Sequence, residues 1–141
     1  MNFTAFSLTP DPIKLGSDAQ VSFTAQVKED IGTTNTLQID VDAKLDTQGT
    51  TIDVCDYLTC HFPDFCSILK QYKSKCPGVI KKLVPQCQCP LKKNEYTVTK
   101  ATIPLPSVPI TVNGLVRTTV DVKESGKQMG CIEVEICIGS C

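Results

Sequence analysis

Residues 37–45, Leu-Gln-Ile-Asp-Val-Asp-Ala-Lys-Leu, contain the pattern that decides the fold. Apolar side chains alternate with polar ones at every position, and this period of two is typical of a β-strand with one buried and one solvated face. Residues 21–27 show the same alternation, and the polar residues and glycine at 28–32 have the composition of a turn. The sequence therefore predicts antiparallel strands joined by short turns.

The alternation returns in the last third of the chain. Residues 116–122 place valine or threonine at every second position, and residues 132–138 place isoleucine or valine there. Tyr96 and Val98 begin another strand, and a first short strand ends at the Pro-Asp-Pro turn of residues 10–12. We expect these strands to complete the sheet.

Residues 103–114 are unusual because they are almost entirely apolar yet include three prolines. Proline cannot donate to a strand ladder, so a central strand is excluded here. Loops usually run over the surface, so we expect this segment either to cover a core or to form an apolar lip.

One helical pattern lies between the two groups of strands. Four apolar or aromatic residues have the spacing i, i+3, i+4 and i+7 of one helix face: Phe65, Ile68, Leu69 and Tyr72. Asp64 favours the helix N-terminus, and Cys-Pro-Gly at residues 76–78 ends the helix. The sequence thus predicts one domain over residues 1–141, mostly antiparallel strands with one short helix.

Composition excludes several classes of protein. The chain has 141 residues, of which 41% are hydrophobic and 21% charged, which is too apolar for a disordered chain. It has no run of 18 apolar residues, so no membrane-spanning helix is expected, and no basic-then-apolar leader follows Met1. With a net charge of −1, nucleic acid is not an expected partner.

Nine cysteines are the most informative count. This density is typical of exported domains, so we expect disulfides and a secreted or lysosomal location. Asn2-Phe3-Thr4 is an N-glycosylation sequon and predicts a glycoprotein modified at Asn2. The cysteine spacings lack the doubled pairs of structural zinc sites, so we expect no metal.

Catalytic residues are poorly represented. The only histidine, His61, directly follows Cys60 in the cysteine-rich zone, where we expect a surface turn rather than a nucleophile–base pair. Acidic residues such as Glu133 and Glu135 alternate on the solvated faces of strands. We therefore expect no enzyme, no catalytic residue and no cofactor.

Charge is distributed unevenly along the chain. Residues 65–94 contain seven lysines and no acid, whereas the remaining residues have seven basic against fifteen acidic side chains. Such asymmetry is typical either of a face that approaches an anionic membrane surface, or of a solubilising rim around a hydrophobic opening. Under the first interpretation, Lys81 and Lys82 are the predicted docking residues, flanked by apolar neighbours.

Five segments resemble one known family, in the same order along nearly the whole chain. They are Leu-Thr-Pro-Asp-Pro-Ile at 8–13, Val-Cys-Asp-Tyr at 54–57, His-Phe-Pro-Asp-Phe-Cys at 61–66, Val-Pro-Gln-Cys-Gln-Cys-Pro at 84–90 and Gly-Lys-Gln-Met-Gly-Cys-Ile at 126–132. This pattern resembles the lysosomal ganglioside activator family of ML-type lipid-recognition proteins.

The resemblance implies an antiparallel β-cup, in which two sheets surround an apolar cavity that is open at one end. It also implies a non-enzymatic protein that shields a glycolipid, sphingolipid or phospholipid and presents it to a membrane or a glycosidase. The disulfides it implies are Cys55–Cys60, Cys66–Cys89 and Cys76–Cys87. The family pairs the cysteine that matches Cys131 with one upstream of the Pro-Asp-Pro turn, and the pairing of Cys131, Cys137 and Cys141 stays open.

Alternation and the resemblance together predict two sets of ligand-contacting residues. The predicted cavity residues are Val21, Phe23, Ile39, Val41, Phe65, Leu69, Val98, Val120 and Val134. The predicted lip, which would contact a membrane, consists of Val79, Ile80, Leu83, Leu105, Val108, Ile110, Val112 and Leu115.

Two other functions are compatible with the same pattern. Alternation cannot distinguish a cup wall from a filled sandwich, and a filled core would suit a secreted interaction or signalling protein. A carrier of a rigid hydrophobic ligand, such as a pigment or a sterol, would use the same scaffold.

Overall fold

The computed structural model describes residues 1–33, 36–76, 78–105, 107, 109 and 111–141. Along this part of the chain the elements are β1 (Asn2–Thr9), β2 (Asp18–Val27), β3 (Leu37–Thr47), β4 (Thr50–Asp53), β5 (His61–Phe62), α1 (Phe65–Gln71), α2 (Gly78–Leu83), β6 (Asn94–Pro104), β7 (Gly114–Glu124) and β8 (Lys127–Ile138). Short 3₁₀ turns follow β4 and α1.

The strands form two antiparallel sheets. The first sheet has the order β1-β2-β6, and the second has the order β4-β3-β7-β8 with β5 also paired to β3. The predicted fold class is confirmed: the chain is mainly β, with two antiparallel sheets and disulfides. The four strongly alternating segments fall in β2, β3, β7 and β8, because alternation in those segments matches the pleat of a strand with one apolar face.

The predicted helix is α1, and local capping explains where it begins. The Asp64 carboxylate accepts a hydrogen bond from the Ser67 backbone N–H at 3.3 Å and another from the Ser67 hydroxyl at 2.7 Å. The structure adds a second short helix, α2, that the sequence prediction does not contain. Its apolar residues come as two adjacent pairs over six positions, which is too short for a clear helical period.

The inner faces of the two sheets differ in burial. In the first sheet, Val21, Phe23, Ala25, Val98 and Ala101 are buried together as a core. The inner face of the second sheet carries the alternating apolar residues of β3, β7 and β8, and most of these side chains are only half-buried. Apolar surface therefore stays accessible on the second sheet, on the side that faces the first.

Four disulfides are formed in the described chain. Cys55–Cys60, Cys66–Cys89 and Cys76–Cys87 are the three pairings that the resemblance implies, and Cys137–Cys141 is a fourth. Cys131 is exposed and has a free thiol. Four disulfides indicate an oxidising environment.

Gly32 shows how tightly the chain packs around one of these bonds. It is buried with φ at +83°, and an added Cβ would lie 2.9 Å from the Cys89 Sγ and 3.1 Å from the Cys66 Sγ. The neighbouring Ile31 exchanges two backbone hydrogen bonds of 2.8 Å with Leu91. The β2–β3 connection is therefore seated directly on the Cys66–Cys89 disulfide.

Replacing Gly32 by alanine should destabilise the protein more than replacing Gly49. Gly49 lies in the tight β3–β4 turn with φ at +76°, and an added Cβ there would meet nothing within 4 Å. Both substitutions carry the cost of a left-handed backbone, about 1–2 kcal/mol. Gly32→Ala should cost roughly 1–3 kcal/mol more because its methyl group overlaps the disulfide. Urea unfolding without reductant measures both, and equal losses would contradict the packing argument.

A second prediction concerns the ion pair between β3 and β4. The Lys44 Nζ lies 2.7 Å from the Asp53 Oδ2, and the Cys55 backbone N–H donates to the Asp53 Oδ1 at 3.0 Å. These two interactions, the lysine first, hold the pKa of Asp53 below its usual value. Because the folded-state pKa is lowered, the stabilisation is present above the unfolded pKa of about 3.9 and is lost as pH falls through the folded value.

The stability difference between the unmodified protein and Asp53→Asn should therefore shrink as pH falls from 6 to 2.5. Denaturant unfolding at a series of pH values measures this difference. In a Lys44→Met background the same substitution should show a weaker pH dependence, because the largest cause of the shift is gone. A pH-independent difference would show that the pair does not stabilise the fold.

Candidate functional site

A cavity of about 170 Å³ lies between the sheets and the two helices. Fifteen residues from both sheets, both helices and two loops line it: Met1, Phe3, Ala25, Ile31, Leu37, Ile39, Phe65, Leu69, Ile80, Leu83, Val84, Gln88, Cys89, Leu91 and Val122. Among the described lining residues, Gln88 alone has a side chain with an amide, hydroxyl or charged group. The cavity is therefore suited to an apolar guest.

The second sheet supplies one wall through strand register. Ile39 pairs with Val122, so both side chains point to the same face, and Leu37 lies on that face two positions before Ile39 on β3. On the other side of Ile39, β5 pairs with β3 and places Phe62 beside it. The Phe62 ring meets the Phe65 ring edge to face, with centroids 6.4 Å apart. This contact positions the start of α1 against the wall.

Helix α1 is held over the cavity by its cap and by a disulfide. Phe65 and Leu69, one turn apart, face the cavity. Cys66, on the same helix, is bonded to Cys89, which is itself a lining residue. The covalent bond and the Asp64 cap together fix the helix rotation that turns Phe65 and Leu69 inward.

Helix α2 closes another side. Ile80, Leu83 and the following Val84 line the cavity, while Val79 and Leu83 also pack on the core of the first sheet. The Cys76–Cys87 disulfide joins the two ends of the segment that contains α2. Short as it is, α2 is thus held by a covalent loop and by apolar contact rather than by its own propensity.

The N-terminus closes one end. The Met1 ammonium group donates a 2.7 Å hydrogen bond to the Met129 carbonyl at the start of β8. An added Cβ at Gly130 would lie 2.9 Å from the Met1 Cβ, so only glycine permits this approach. Met1 is thereby positioned as a lining residue.

The chemistry of the cavity is that of exclusion from water. Among the described lining residues, no side chain carries an acid, base or hydroxyl group that could transfer a proton. An engineered apolar cavity of about 150 Å³ stays dry and binds benzene, so a space of this size and lining can hold a hydrocarbon group. The arrangement can bind and shield an apolar moiety.

The one histidine lies outside the cavity. The His61 Nδ1 is hydrogen-bonded to the Asp40 Oδ1 on the outer side of β3, and the Gln38 amide donates to the other Asp40 oxygen at 2.8 Å. The His61 hydrogen bond is the main cause that lowers the pKa of the Asp40 carboxyl. His61 is 61% exposed, as expected for a surface histidine. In the described residues no three His, Cys, Asp or Glu side chains form a group able to hold a metal ion.

Three predicted cavity residues, Ile39, Phe65 and Leu69, line the observed cavity. The other six do not. Val21, Phe23 and Val98 are buried in the core of the first sheet, because α2 and β1 cover them. The remaining three are half-buried on the inner face of the second sheet, outside the cavity: Val41, Val120 and Val134. Contact between any of the nine predicted cavity residues and a ligand stays a prediction.

The predicted lip residues are not gathered at one opening. Ile80 and Leu83 line the cavity, and Val79 packs on the first sheet. Leu105 is half-buried after β6, Leu115 is half-buried on β7, and Val112 lines a separate surface pocket beside Pro12 and Ile13. Val108 and Ile110 lie outside the described residues. Membrane contact by any of these residues stays a prediction.

Lys81 and Lys82 are both exposed on α2, the helix that walls the cavity. The Lys82 Nζ donates a 2.8 Å hydrogen bond to the Thr99 carbonyl on β6. Four further lysines of the basic stretch are exposed as well: Lys70, Lys75, Lys92 and Lys93. Positive charge therefore surrounds the helical side of the cavity. Asn2 is exposed on β1, and its glycosylation stays a prediction.

Several lining residues were missed by sequence reasoning. Leu37 and Val122 share the alternation of Ile39, so extending that pattern to the strand ends would have found them. Ile31 and Leu91 lie in connections between strands, where no period marks the direction of a side chain. Only the folded chain brings these residues to the cavity.

Both described helices, of seven and six residues, are far shorter than the roughly 20 residues that span a bilayer. No curated protein matches the sequence significantly. The sequence model of one family, described as the ML domain, matches residues 1–138. Assignment to the ganglioside activators within that family stays a prediction. A match over nearly the whole length, on a two-sheet β fold with an apolar cavity, shows that the chain belongs to the ML domain family.

Proposed function

We propose that this protein is a non-enzymatic lipid-binding and lipid-transfer protein. The cavity of about 170 Å³, lined almost wholly by apolar side chains, carries the proposal. It would shield part of the acyl chain of a glycolipid, sphingolipid or phospholipid, and the protein would present that lipid to a membrane or to a glycosidase.

Family membership supports the coarser part of this function. Proteins with an ML domain generally bind lipids and are generally non-catalytic. The lining agrees in the part of the chain that the structure describes, because no side chain there offers acid–base or nucleophilic chemistry to the cavity. A protein with a filled core, acting only through its surface, is disfavoured by the same cavity.

Transfer rather than permanent storage is supported by a near-balance of free energies. Moving an acyl chain out of water gains about 0.8 kcal/mol per CH₂ in either a bilayer or an apolar cavity. Because both environments provide this gain, the difference between them is small and exchange can run in both directions. The four disulfides suit the oxidising environment that a secreted or lysosomal protein would meet.

One test of the proposed function fills the cavity with a larger side chain. Ile39→Trp should weaken binding of an uncharged apolar dye, N-phenyl-1-naphthylamine, because the indole would occupy the space that the dye needs. If dye and indole together overpack the cavity at the usual cost of about 1–3 kcal/mol, affinity falls roughly 5- to 150-fold. The chain contains no tryptophan, so the introduced indole also reports dye proximity by energy transfer.

Val134→Trp is the matched control. Val134 is half-buried on the same face of the second sheet but does not line the cavity. Its dye affinity should stay close to that of the unmodified protein. Equal loss in both variants would place the dye elsewhere, and no dye binding by the unmodified protein would remove the proposed function. Mass spectrometry of an organic extract would distinguish an acyl lipid from a sterol or pigment.

Another test concerns the proposed docking surface at Lys81 and Lys82. Reversing both charges with Lys81→Glu and Lys82→Glu should weaken binding to vesicles that contain phosphatidylserine. Each lysine near an anionic leaflet contributes about 1 kcal/mol, so losing two corresponds to roughly 30-fold in affinity. Vesicle co-sedimentation at 50 mM and 200 mM salt measures the loss, which should be larger at low salt.

The control changes net charge equally at Lys14 and Lys127, two exposed lysines outside the basic stretch. The Lys14→Glu and Lys127→Glu double variant should lose much less vesicle affinity. Unchanged vesicle binding after the α2 substitutions would exclude α2 as the docking element.

A further inference from the structure

We propose that α2 is a gate of the cavity, held closed by the Lys82–Thr99 hydrogen bond and released when an anionic lipid surface captures the Lys82 ammonium. This inference rests on the proposed function, since a gate has meaning only if a guest enters and leaves. It adds the control of entry, which the cavity alone does not provide.

The first observation is that α2 forms one wall of the cavity and is attached to the first sheet by apolar side chains and the Lys82 hydrogen bond, rather than by a backbone ladder. Ile80, Leu83 and Val84 face the cavity, so moving this helix would open the cavity directly to the outside. The helix has six residues and is not part of either sheet. A short element held mainly by apolar side chains is expected to open locally at lower cost than a strand in a ladder.

The second observation is the covalent base of this segment. The Cys76–Cys87 disulfide joins its two ends, and Cys89 is bonded to Cys66 on α1. Helix α2 therefore lies within a loop closed by the Cys76–Cys87 disulfide. The Cys66–Cys89 disulfide attaches the chain just after this loop to α1. Such a loop can swing as a unit without displacing α1 or β6, as in hinged loops that cover binding sites.

The third observation is the bond that links the outer side of α2 to the first sheet. The Lys82 Nζ donates to the Thr99 carbonyl at 2.8 Å, and the start of the helix approaches β6 closely, where a Cβ on Gly78 would lie 3.8 Å from the Thr102 carbonyl. Lys82 itself is exposed. Its ammonium group can thus be reached by a second acceptor from solution.

A lipid phosphate or carboxylate is a stronger acceptor for this ammonium than a neutral carbonyl, because its negative charge adds a charge–charge attraction to the hydrogen bond. Capture of Lys82 would remove the link to Thr99. Exposing the apolar face of α2 to water is unfavourable. At a membrane, this face would instead contact the hydrocarbon of the bilayer. The open state is therefore favoured at an anionic membrane and disfavoured in solution, as a population shift requires.

Lys81 provides a matched control within the same helix. It is exposed, carries the same charge and has no hydrogen-bond or ion-pair partner among the described residues. Lys81→Met and Lys82→Met therefore remove one charge each, but only the second removes the link to β6. Lys82→Arg keeps both a donor and the charge, and serves as the rescue variant.

The experiment loads each variant with N-phenyl-1-naphthylamine and follows the stopped-flow transfer of the dye to phosphatidylcholine vesicles, then to vesicles that also contain phosphatidylserine. With neutral vesicles, Lys82→Met should release the dye about 2- to 12-fold faster than the unmodified protein, the range that one net hydrogen bond implies. With the same neutral vesicles, which carry no net negative charge for the docking lysines to bind, Lys81→Met and Lys82→Arg should release it at the unmodified rate. Phosphatidylserine should accelerate release from the unmodified protein more than from Lys82→Met.

Hydrogen exchange supplies a second readout that does not depend on the dye. In solution without vesicles, the amides of residues 78–84 should exchange faster in Lys82→Met than in Lys81→Met. Equal release rates and equal exchange for the two methionine variants would overturn the gate while leaving lipid binding in place. Failure of every variant to bind the dye would overturn the proposed function and the gate together.

Discussion

The Cys66–Cys89 disulfide is the constraint on which the cavity depends. It joins α1 to the segment that leads into β6, and Gly32 of the β2–β3 connection is packed against its sulfur atoms. The Gly32 N–H in turn donates to the buried carboxylate of Glu124 at the end of β7, at 3.1 Å. Both sheets, a helix and two connections therefore meet at one covalent bond. Together with the Asp64 cap and the Phe62–Phe65 ring contact, it holds Phe65 and Leu69 over the space between the sheets.

The apolar cavity has a cost in stability that the disulfides help to offset. At about 24 cal/mol per Å³, a cavity of about 170 Å³ lowers stability by roughly 4 kcal/mol. One disulfide typically contributes about 2–4 kcal/mol, so a single bond of average strength offsets most of that loss. A bound guest would offset it as well, because any ligand that binds only the folded state stabilises it.

Basic and acidic side chains are concentrated on different sides of the molecule. Four exposed lysines lie on or just after the helices that cover the cavity, at Lys70, Lys75, Lys81 and Lys82, whereas the outer face of the second sheet carries many of the acids. On that face Asp40 and Asp121 are direct cross-strand partners, and like charges in such a position are destabilising unless they find other partners. His61 is hydrogen-bonded to Asp40. The Gln128 amide donates a hydrogen bond to Asp121, and Lys123 forms an ion pair with Asp121. Each acid of this close pair therefore has a partner that offsets the repulsion between them.

The sequence by itself determined the strands, the first helix and the kind of protein. Alternation over residues 37–45 marks which side chains share a face because successive side chains of a strand point in opposite directions. The ordered cysteine motifs pointed to the lipid-recognition family and its three disulfides. Tertiary structure alone decided where the space lies. Val21 and Ile39 have the same alternation, yet one is buried in a filled core and the other lines the cavity. Period two reports the face of a strand but not the distance to the opposite sheet, and that distance is set by α1, α2 and the connections that wedge between the sheets.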